Sequence, residues 1–299
     1  MINIVGRKKV WFALSGIFLA VAILAIAVYG FKESAEFKGG SLWQFKIPTE
    51  HPALQDVQGF FANTLKVSGA DISLDTTNQS FLARFDTVDE PTHQKLVGLS
   101  TNKWASFQEL SFASIGPTVG AGLKKNAIIA MVLVLVGISL YIAFAFRKAS
   151  RPVSSWKYGW ITLLTLFHDV LIPAGMLAIL GHFLNIEIDT NFIVALLVVM
   201  GFSVHDTIVV FDRIRENLLA RRGKSGFGVI VNDSVNQTLA RSVNTSLTLI
   251  LVLLALYFVG PPDLKYFVLT LLVGVTTGIY SSIFIASPAL VLMKPKNES

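Results

Sequence analysis

A histidine and an aspartate, His205 and Asp206, stand inside an apolar stretch that reads GFSVHDTIVVF at residues 201–211. The next charged residue after this pair is Asp212, six positions beyond Asp206. In a helix, which rises about 1.5 Å per residue, Asp206 would lie roughly 9 Å inside the end of the apolar stretch. A charge at that depth costs on the order of a few kcal/mol unless it is paired or hydrated. Asp206 must therefore face protein or water, and it is a candidate proton carrier.

A polar stripe in the next apolar segment offers a partner of opposite charge. Its members recur at i, i+4, i+7, i+8 and i+11, which places them on one helix face. They are Gln237, Arg241, Asn244, Thr245 and Thr248. Arg241 lies near the same end of its segment as Asp206, so an ion pair between the two is geometrically plausible. Ser203 and Thr207 share the face of Asp206, and together with the stripe they are candidates to line a polar path.

Two interpretations of this pair stay open at this point. In the first, Asp206 titrates and carries a proton, since carboxylates within membrane helices are functional by default. In the second, Asp206 and Arg241 only fix the register of two helices.

A second carboxylate lies near the middle of another apolar segment, in the pair His168-Asp169. Thr162, Thr165 and Asp169 are spaced for one helix face, and Pro173 follows one turn later. Both members of the pair join the candidate proton path, although a packing role is the alternative for His168. The last apolar segment carries a small-residue stripe, for which we expect helix packing. It consists of Gly274, Thr277, Gly278, Ser281 and Ser282.

The composition is that of a membrane protein. Of the 299 residues, 53% are hydrophobic and 15% are charged, and the mean hydropathy is +0.62. Soluble domains carry roughly 25% charged residues. The net charge of +6 is what loops near anionic lipid would carry, so we expect a membrane-lipid contact and no nucleic acid. The absence of cysteine excludes disulfides, cysteine-bound zinc and iron–sulfur clusters.

Six segments are long and apolar enough to cross a bilayer, which takes about 20 residues. They fall at about residues 10–30, 126–146, 159–181, 191–211, 241–260 and 265–292. This pattern predicts a polytopic α-helical membrane protein with three parts. These are residues 1–30 with the first helix, an outer domain at 31–122, and a five-helix transmembrane domain at 123–299.

Lysine and arginine set the orientation of these segments. They concentrate at the N-terminus, in the loop at 147–157, in the segment at 212–225 and in the C-terminal tail, all on one side. The positive-inside rule makes that side cytoplasmic, so both termini are expected inside and the outer domain outside. The first segment also resembles a signal peptide, with a cleavage site at Ala25-Ile26-Ala27, but its apolar run is long enough to span.

The outer domain is predicted to be a small ferredoxin-like α+β unit. Its strands, helices and turn follow the order βαββαβ. The predicted strands are 41–47, 72–74, 81–85 and 107–115, the helices are 51–67 and 90–104, and the turn is 75–79. His51 and His93 have no carboxylate or nucleophile at a telling spacing along the chain, so surface or capping roles are expected for both. We find no catalytic or metal-binding constellation and expect neither enzyme activity nor a cofactor.

Several motifs spread over nearly the whole chain are similar to those of one family. They are Phe37-Lys38-Gly39-Gly40, Gly116-Pro117-Thr118-Val119-Gly120, His168-Asp169-Val170, the stretch 206–217, the stretch 236–242 and the stretch 280–288. In these motifs the chain resembles the SecF subunits of bacterial SecD–SecF protein-export complexes, a family similar to the resistance-nodulation-division transporters. Two positions depart from the family pattern. His205 replaces the usual asparagine, and it could titrate together with Asp206, while Lys38 replaces a small polar residue.

The resemblance implies an accessory subunit of the Sec export machinery in the bacterial cytoplasmic membrane. Its partners would be SecD, the SecYEG channel and the translocating preprotein, and the proton motive force would be its energy source. The proton-path residues of the family match Asp206 and Arg241. The motif residues Gly39, Gly40, Gly116 and Pro117 flank the outer domain, where they are hinge candidates or structural turns.

Three other functions remain as alternatives. The first is a passive assembly scaffold of the translocase, in which Asp206 and Arg241 are only a structural pair. The second is a subunit of a proton-coupled small-molecule exporter, although six spans are half of the usual transporter set. A membrane enzyme is the most distant alternative, because no metal triad or nucleophile–base set is visible.

Overall fold

The computed structural model describes residues 2–67, 69–75, 79–149, 153–221 and 225–293. Part of the predicted turn at 75–79, parts of the basic segments at 147–157 and 212–225, and the tail from residue 294 lie outside these residues. The chain divides into two compact units. One, here called the α+β unit, is Glu33–Ala127, and the other, the membrane unit, joins Met1–Lys32 to Ile128–Ser299.

The helices and strands follow one another in a simple order. They are α1 (Lys8–Tyr29), α2 (Ala35–Lys38), β1 (Gly40–Lys46), α3 (Leu54–Asn63), β2 (Asp71–Asp75), β3 (Ser80–Phe85), α4 (Glu90–Lys103), β4 (Gln108–Ile115), α5 (Pro117–Ala145), α6 (Ser155–Leu184), α7 (Thr190–Ala220), α8 (Phe227–Val259), α9 (Lys265–Ser281) and α10 (Ser287–Leu292). A π-helical segment, Ser282–Ala286, joins α9 to α10 without a break.

The α+β unit has the predicted ferredoxin-like fold. All strand pairs are antiparallel, and the strand order β2-β3-β1-β4 follows from the sequence βαββαβ. Alternate residues of β1, among them Trp43 and Phe45, are fully buried and form the core with Phe61 of α3 and Leu96 of α4. The sheet therefore turns one face towards its helices.

The membrane unit supplies the six helical spans that the predicted fold class requires, the last of them running from Pro262 to Leu292. The spans differ in how much of their apolar stretch is buried within the chain. Half is buried in α6, α7 and the last span, compared with 11–17% in α1, α5 and α8. The interior of the unit is therefore built by α6, α7 and α9, which also carry most of the buried polar side chains.

Helix contacts in the membrane unit are close where glycine faces a neighbour. A Cβ atom on Gly175 of α6 would lie 2.4 Å from the Cα of Ala22 in α1. One on Gly278 of α9 would lie 3.0 Å from the Cβ of Ser203 in α7. Small residues at such crossings let backbones approach each other, as is typical of membrane helices.

We expect Gly175→Ala to lower the free energy of unfolding by about 1–3 kcal/mol, because the added methyl group would overlap the backbone of α1. Gly201→Ala is the matched control, since a Cβ on Gly201 of α7 would meet nothing within 4 Å. The control should leave stability unchanged or raise it slightly, because alanine favours helix. Thermal unfolding of the full chain in detergent checks both variants. Equal melting temperatures for the two would contradict the packing described here.

Candidate functional site

Asp169 is a fully buried carboxylate at the centre of the membrane unit. Its Oδ1 lies 2.8 Å from Nδ1 of His168. Its Oδ2 accepts hydrogen bonds from the hydroxyl groups of Ser203 (2.5 Å) and Ser281 (2.6 Å). The carboxylate thus joins α6, α7 and α9 at one point, and all of its partners are themselves buried.

The two threonines predicted to share the face of Asp169 are also buried, and their hydroxyl groups donate to carbonyl oxygens of α6. Thr162 donates to the carbonyl oxygen of Tyr158 (2.9 Å), and Thr165 donates to that of Ile161 (3.0 Å). Both hydroxyl groups therefore satisfy their own helix backbone, as is common for threonine within helices.

Asp206 is the second buried carboxylate and is 2% exposed. Its Oδ2 accepts a hydrogen bond from Ser246 of α8 at 3.3 Å. His205 Nδ1 lies 4.0 Å from Oδ1, and the His205 side chain is 64% exposed. Asp206 therefore has one hydroxyl partner and one exposed histidine next to it.

The predicted ion pair between Asp206 and Arg241 does not form in the described part of the chain. Arg241 is exposed on α8, and the residue of α8 that reaches Asp206 is Ser246. Positions 241 and 246 are five residues apart, which separates them by about 140° around a helix. The prediction was right that α8 packs near Asp206 but wrong about which side of α8 faces it.

The whole stripe predicted on α8 turns away from Asp206. Its five members are exposed on the surface of this chain, namely Gln237, Arg241, Asn244, Thr245 and Thr248. Gln237 accepts hydrogen bonds from Arg213 Nε (2.6 Å) and Asn217 Nδ2 (2.9 Å). The hydroxyl group of Thr248 donates to the Thr245 carbonyl (2.7 Å). The stripe is polar and lies along the outside of the chain.

A different stripe of α8 is buried, and sequence reasoning missed it. Its members are hydroxyl residues spaced by four: Ser234, Thr238, Ser242 and Ser246. The regular spacing was a usable signal, but it was overlooked because the charged stripe is more conspicuous. Among the described residues, the Ser242 hydroxyl has no hydrogen-bond partner.

Ser281 and Ser282, expected only to pack helices, also bind polar groups. Ser281 contacts Asp169, and the hydroxyl oxygens of Ser282 and Thr207 lie 2.8 Å apart. Thr207 is buried on α7, next to Asp206 in sequence. Hydroxyl groups therefore extend between the surroundings of the two carboxylates. The adjacent π-helical segment is a feature often found at functional sites.

The hinge candidates lie within the α+β unit. Gly39 and Gly40 have positive φ angles of 81° and 140°. A Cβ on Gly39 would lie 2.7 Å from the Cα of Pro117, and nothing would meet one on Gly116 within 4 Å. The residue between α2 and β1 thus packs directly on the first residue of α5, and the hinge role stays a prediction.

His93, for which a surface or capping role was expected, is buried in the α+β unit. Its Nε2 lies 2.8 Å from a carboxylate oxygen of Glu109, which also accepts a 2.8 Å hydrogen bond from Trp43 Nε1. The ring stacks on Phe112 with a centroid distance of 3.6 Å. Sequence spacing could not show this contact, because the packing of α4 on β4 creates it.

Together these features define a polytopic membrane protein whose helix bundle buries two carboxylates among hydroxyl groups. Residues 96–296 match the family model described as protein export membrane protein SecD/SecF, C-terminal. The chain is 42% identical to the protein translocase subunit SecF of Thermobaculum terrenum, over 99% of this chain and 95% of that protein. It is 36% identical to the SecF subunit of Anaerolinea thermophila, over 98% and 94%.

Solved structures agree with these relatives. A crystal structure of SecDF from Thermus thermophilus, titled a translocon-associated membrane protein, matches with a TM-score of 0.81 and 32% identity. The match covers 98% of this chain and 38% of the solved chain, so this chain spans well under half of that protein. SecDF in a super-membrane-facing form matches with a TM-score of 0.68, 32% identity and coverages of 98% and 39%.

The chain therefore belongs to the SecF family of protein-export membrane proteins. Membership assigns it an accessory role in Sec protein export.

Asp169 and Arg241, two of the five predicted proton-path residues, should differ strongly in what their replacement by alanine does to stability. Asp169→Ala leaves the buried Ser203 hydroxyl and His168 Nδ1 without the carboxylate that they contact, and each such loss costs about 1–3 kcal/mol. Arg241→Ala removes an exposed side chain and should leave the stability of the isolated chain within about 0.5 kcal/mol of wild type. Thermal unfolding in detergent measures both, and a greater loss for Arg241→Ala would contradict this arrangement.

Proposed function

We propose that this subunit works with SecD to convert the proton motive force into preprotein movement on the outer side of the membrane. The observation that carries the proposal is Asp206, a carboxylate buried between α7 and α8 whose closest partners are a serine hydroxyl and a partly solvated histidine. A carboxylate at that depth without a strong cation beside it is suited to take up and release a proton.

The membrane potential supplies enough energy for such a step. One charge that crosses the full potential releases about 2.3 kcal/mol per 100 mV. That energy can drive movement if the protonated and ionised states of the carboxylate favour different helix arrangements. Asp169, His168 and His205 are the other titratable groups that we place on this path.

The exposed polar stripe of α8 is the face that we assign to SecD. A helix face that carries arginine, amides and hydroxyl groups is unfavourable against lipid, and polar side chains of membrane helices almost always face protein or water. The solved SecDF chain supports this assignment, since this chain matches only 38% of it. Arg241 would then pair with a carboxylate of SecD or line a water path between the two subunits.

The remaining partners and the orientation are part of the same proposal. The similarity to SecDF, a translocon-associated membrane protein, supports contact with the SecYEG channel. With both termini in the cytoplasm, the α+β unit lies outside, where it meets the emerging preprotein. In this proposal the subunit performs no chemical catalysis and needs no cofactor, because proton flow is its energy source.

The passive-scaffold alternative depended on Asp206 and Arg241 as a structural clasp. Since Arg241 is exposed and Ser246 takes its place beside Asp206, the clasp has no support within this chain. We therefore favour a titrating role for Asp206.

We expect Asp206→Asn to abolish the gradient-dependent part of preprotein translocation, because the amide cannot carry a proton. Translocation into inverted membrane vesicles, with and without a proton gradient, measures this part directly. Asp212→Asn is the matched control, because it makes the same change at an exposed carboxylate that pairs with Arg215 at 3.2 Å. The control should translocate like wild type.

Copurification with SecD from the same membranes shows whether each variant assembles. If Asp206→Asn assembles and retains full gradient-dependent translocation, then Asp206 is not the proton carrier and the proposal fails.

A further inference from the structure

The hydroxyl group of Ser281 has one proton and two acceptors within reach. It donates to Oδ2 of Asp169 at 2.6 Å, and the carbonyl oxygen of Gly278 lies 3.1 Å away as an alternative. A serine hydroxyl can donate to only one of them at a time. Ser281 can therefore change partner by a rotation of its hydroxyl group, without any movement of the helix.

The other hydroxyl group on Asp169 lacks such an alternative. Among the described residues, the Oγ of Ser203 donates to Asp169 only, at 2.5 Å. If Asp169 ceased to accept from it, the Ser203 hydroxyl would lose its only acceptor in this structure. The two serines are thus unequal: Ser203 is a fixed donor and Ser281 is a changeable one.

The alternative acceptor of Ser281 is already crowded. The carbonyl oxygen of Gly278 accepts hydrogen bonds from the backbone N–H and from the hydroxyl group of Ser282, the latter at 2.9 Å. The same backbone N–H also donates to the carbonyl oxygen of Ile279. A carbonyl oxygen has two lone pairs, so a third donor competes with the first two. This competition falls where α9 ends and the π-helical segment begins, between Ser281 and Ser282.

Ionisable side chains accompany Asp169 on each of α6, α9 and α7. On α6 it faces His168, and on α9 the ring of Tyr280 lies 6.3 Å from that of His168. On α7 the nearest carboxylate along the helix is Asp206, one turn beyond Ser203. Within the described residues, the one ion pair of Asp169 is that with His168.

We propose that Ser281 is a positioning residue that transmits the protonation state of Asp169 to the π-helical segment. When Asp169 is ionised, Ser281 donates to it. When a proton arrives on Oδ2, the carboxyl group becomes a donor to the Ser281 oxygen, and the Ser281 proton turns to the Gly278 carbonyl. There it competes with the Ser282 N–H and shifts the boundary between α-helix and π-helix.

The shift reaches the second carboxylate through Ser282. Its hydroxyl oxygen lies 2.8 Å from that of Thr207, and Thr207 directly follows Asp206 on α7. A change at the start of the π-helical segment therefore alters a contact beside Asp206. This inference deepens the proposed function and rests on it, since it takes proton transfer as the driving event.

Hydrogen–deuterium exchange of the purified full chain tests the proposal at a single pH. Asp169→Asn imitates the neutral state, because its amide can donate to Ser281. We expect it to speed or slow amide exchange in the peptide that covers residues 278–286 several-fold. In the double variant with Ser281→Ala, the peptide should exchange as in Ser281→Ala alone, because the change can no longer be transmitted.

Thr270→Val is the matched control within α9. Thr270 is buried, and within the described part of the chain its hydroxyl group donates to the Tyr266 carbonyl (2.8 Å) and not to Asp169 or Gly278. Combined with Asp169→Asn, it should leave the effect of Asp169→Asn intact. If the loss of any buried hydroxyl group were enough to remove the effect of Asp169→Asn on exchange, Ser281→Ala and Thr270→Val would remove it equally.

Two outcomes overturn the inference. One is that Asp169→Asn leaves exchange at residues 278–286 unchanged, and the other is that its effect persists in full with Ser281→Ala. Either result leaves the proposed function standing if Asp206→Asn still abolishes gradient-dependent translocation. If Asp206→Asn instead leaves gradient-dependent translocation intact while the exchange results are as expected, the proposed function is overturned and the role of Ser281 stands.

Discussion

The membrane unit depends on the need to satisfy a carboxylate that is completely buried. Asp169 achieves this with two serine hydroxyl groups and one histidine, which come from α6, α7 and α9. Such groups reach it only if the helices lie close together, and Gly278 of α9, facing Ser203, provides the space. The helices that surround Asp169 belong to the three most buried spans, α6, α7 and the last span, while α1, α5 and α8 are less buried within the chain.

Helix α8 has two polar faces, one buried within the chain and one exposed on its surface. The buried face holds hydroxyl residues spaced by four, and its Ser246 contacts Asp206. The other face carries Arg241 and its polar neighbours on the outside of the chain. Asp206 is thus next to a helix that has one buried hydroxyl face and one exposed polar face, as the proposed function requires.

Much of the fold follows from the sequence because its signals are local. Runs of about 20 apolar residues predict the spans, and alternation and helical periodicity predict the βαββαβ order. The burial of Asp169 and Asp206 follows from charge within apolar runs. The sequence does not show which face of α8 packs against Asp206. Both polar stripes of α8 have helical spacing, and no local rule distinguishes them. The His93–Glu109 contact and the π-helical segment likewise arise from tertiary packing.

In the proposed mechanism, Asp169 and Asp206 respond to protons as one connected unit. Infrared spectroscopy of the full chain in lipid tests it most directly, because a protonated carboxyl group has its own C=O stretching band. We predict that Asp206→Asn removes one such band and that Asp169→Asn shifts this same band in frequency, since the hydroxyl groups between them rearrange. A band of Asp206 that stays unchanged in Asp169→Asn at every pH would contradict the account.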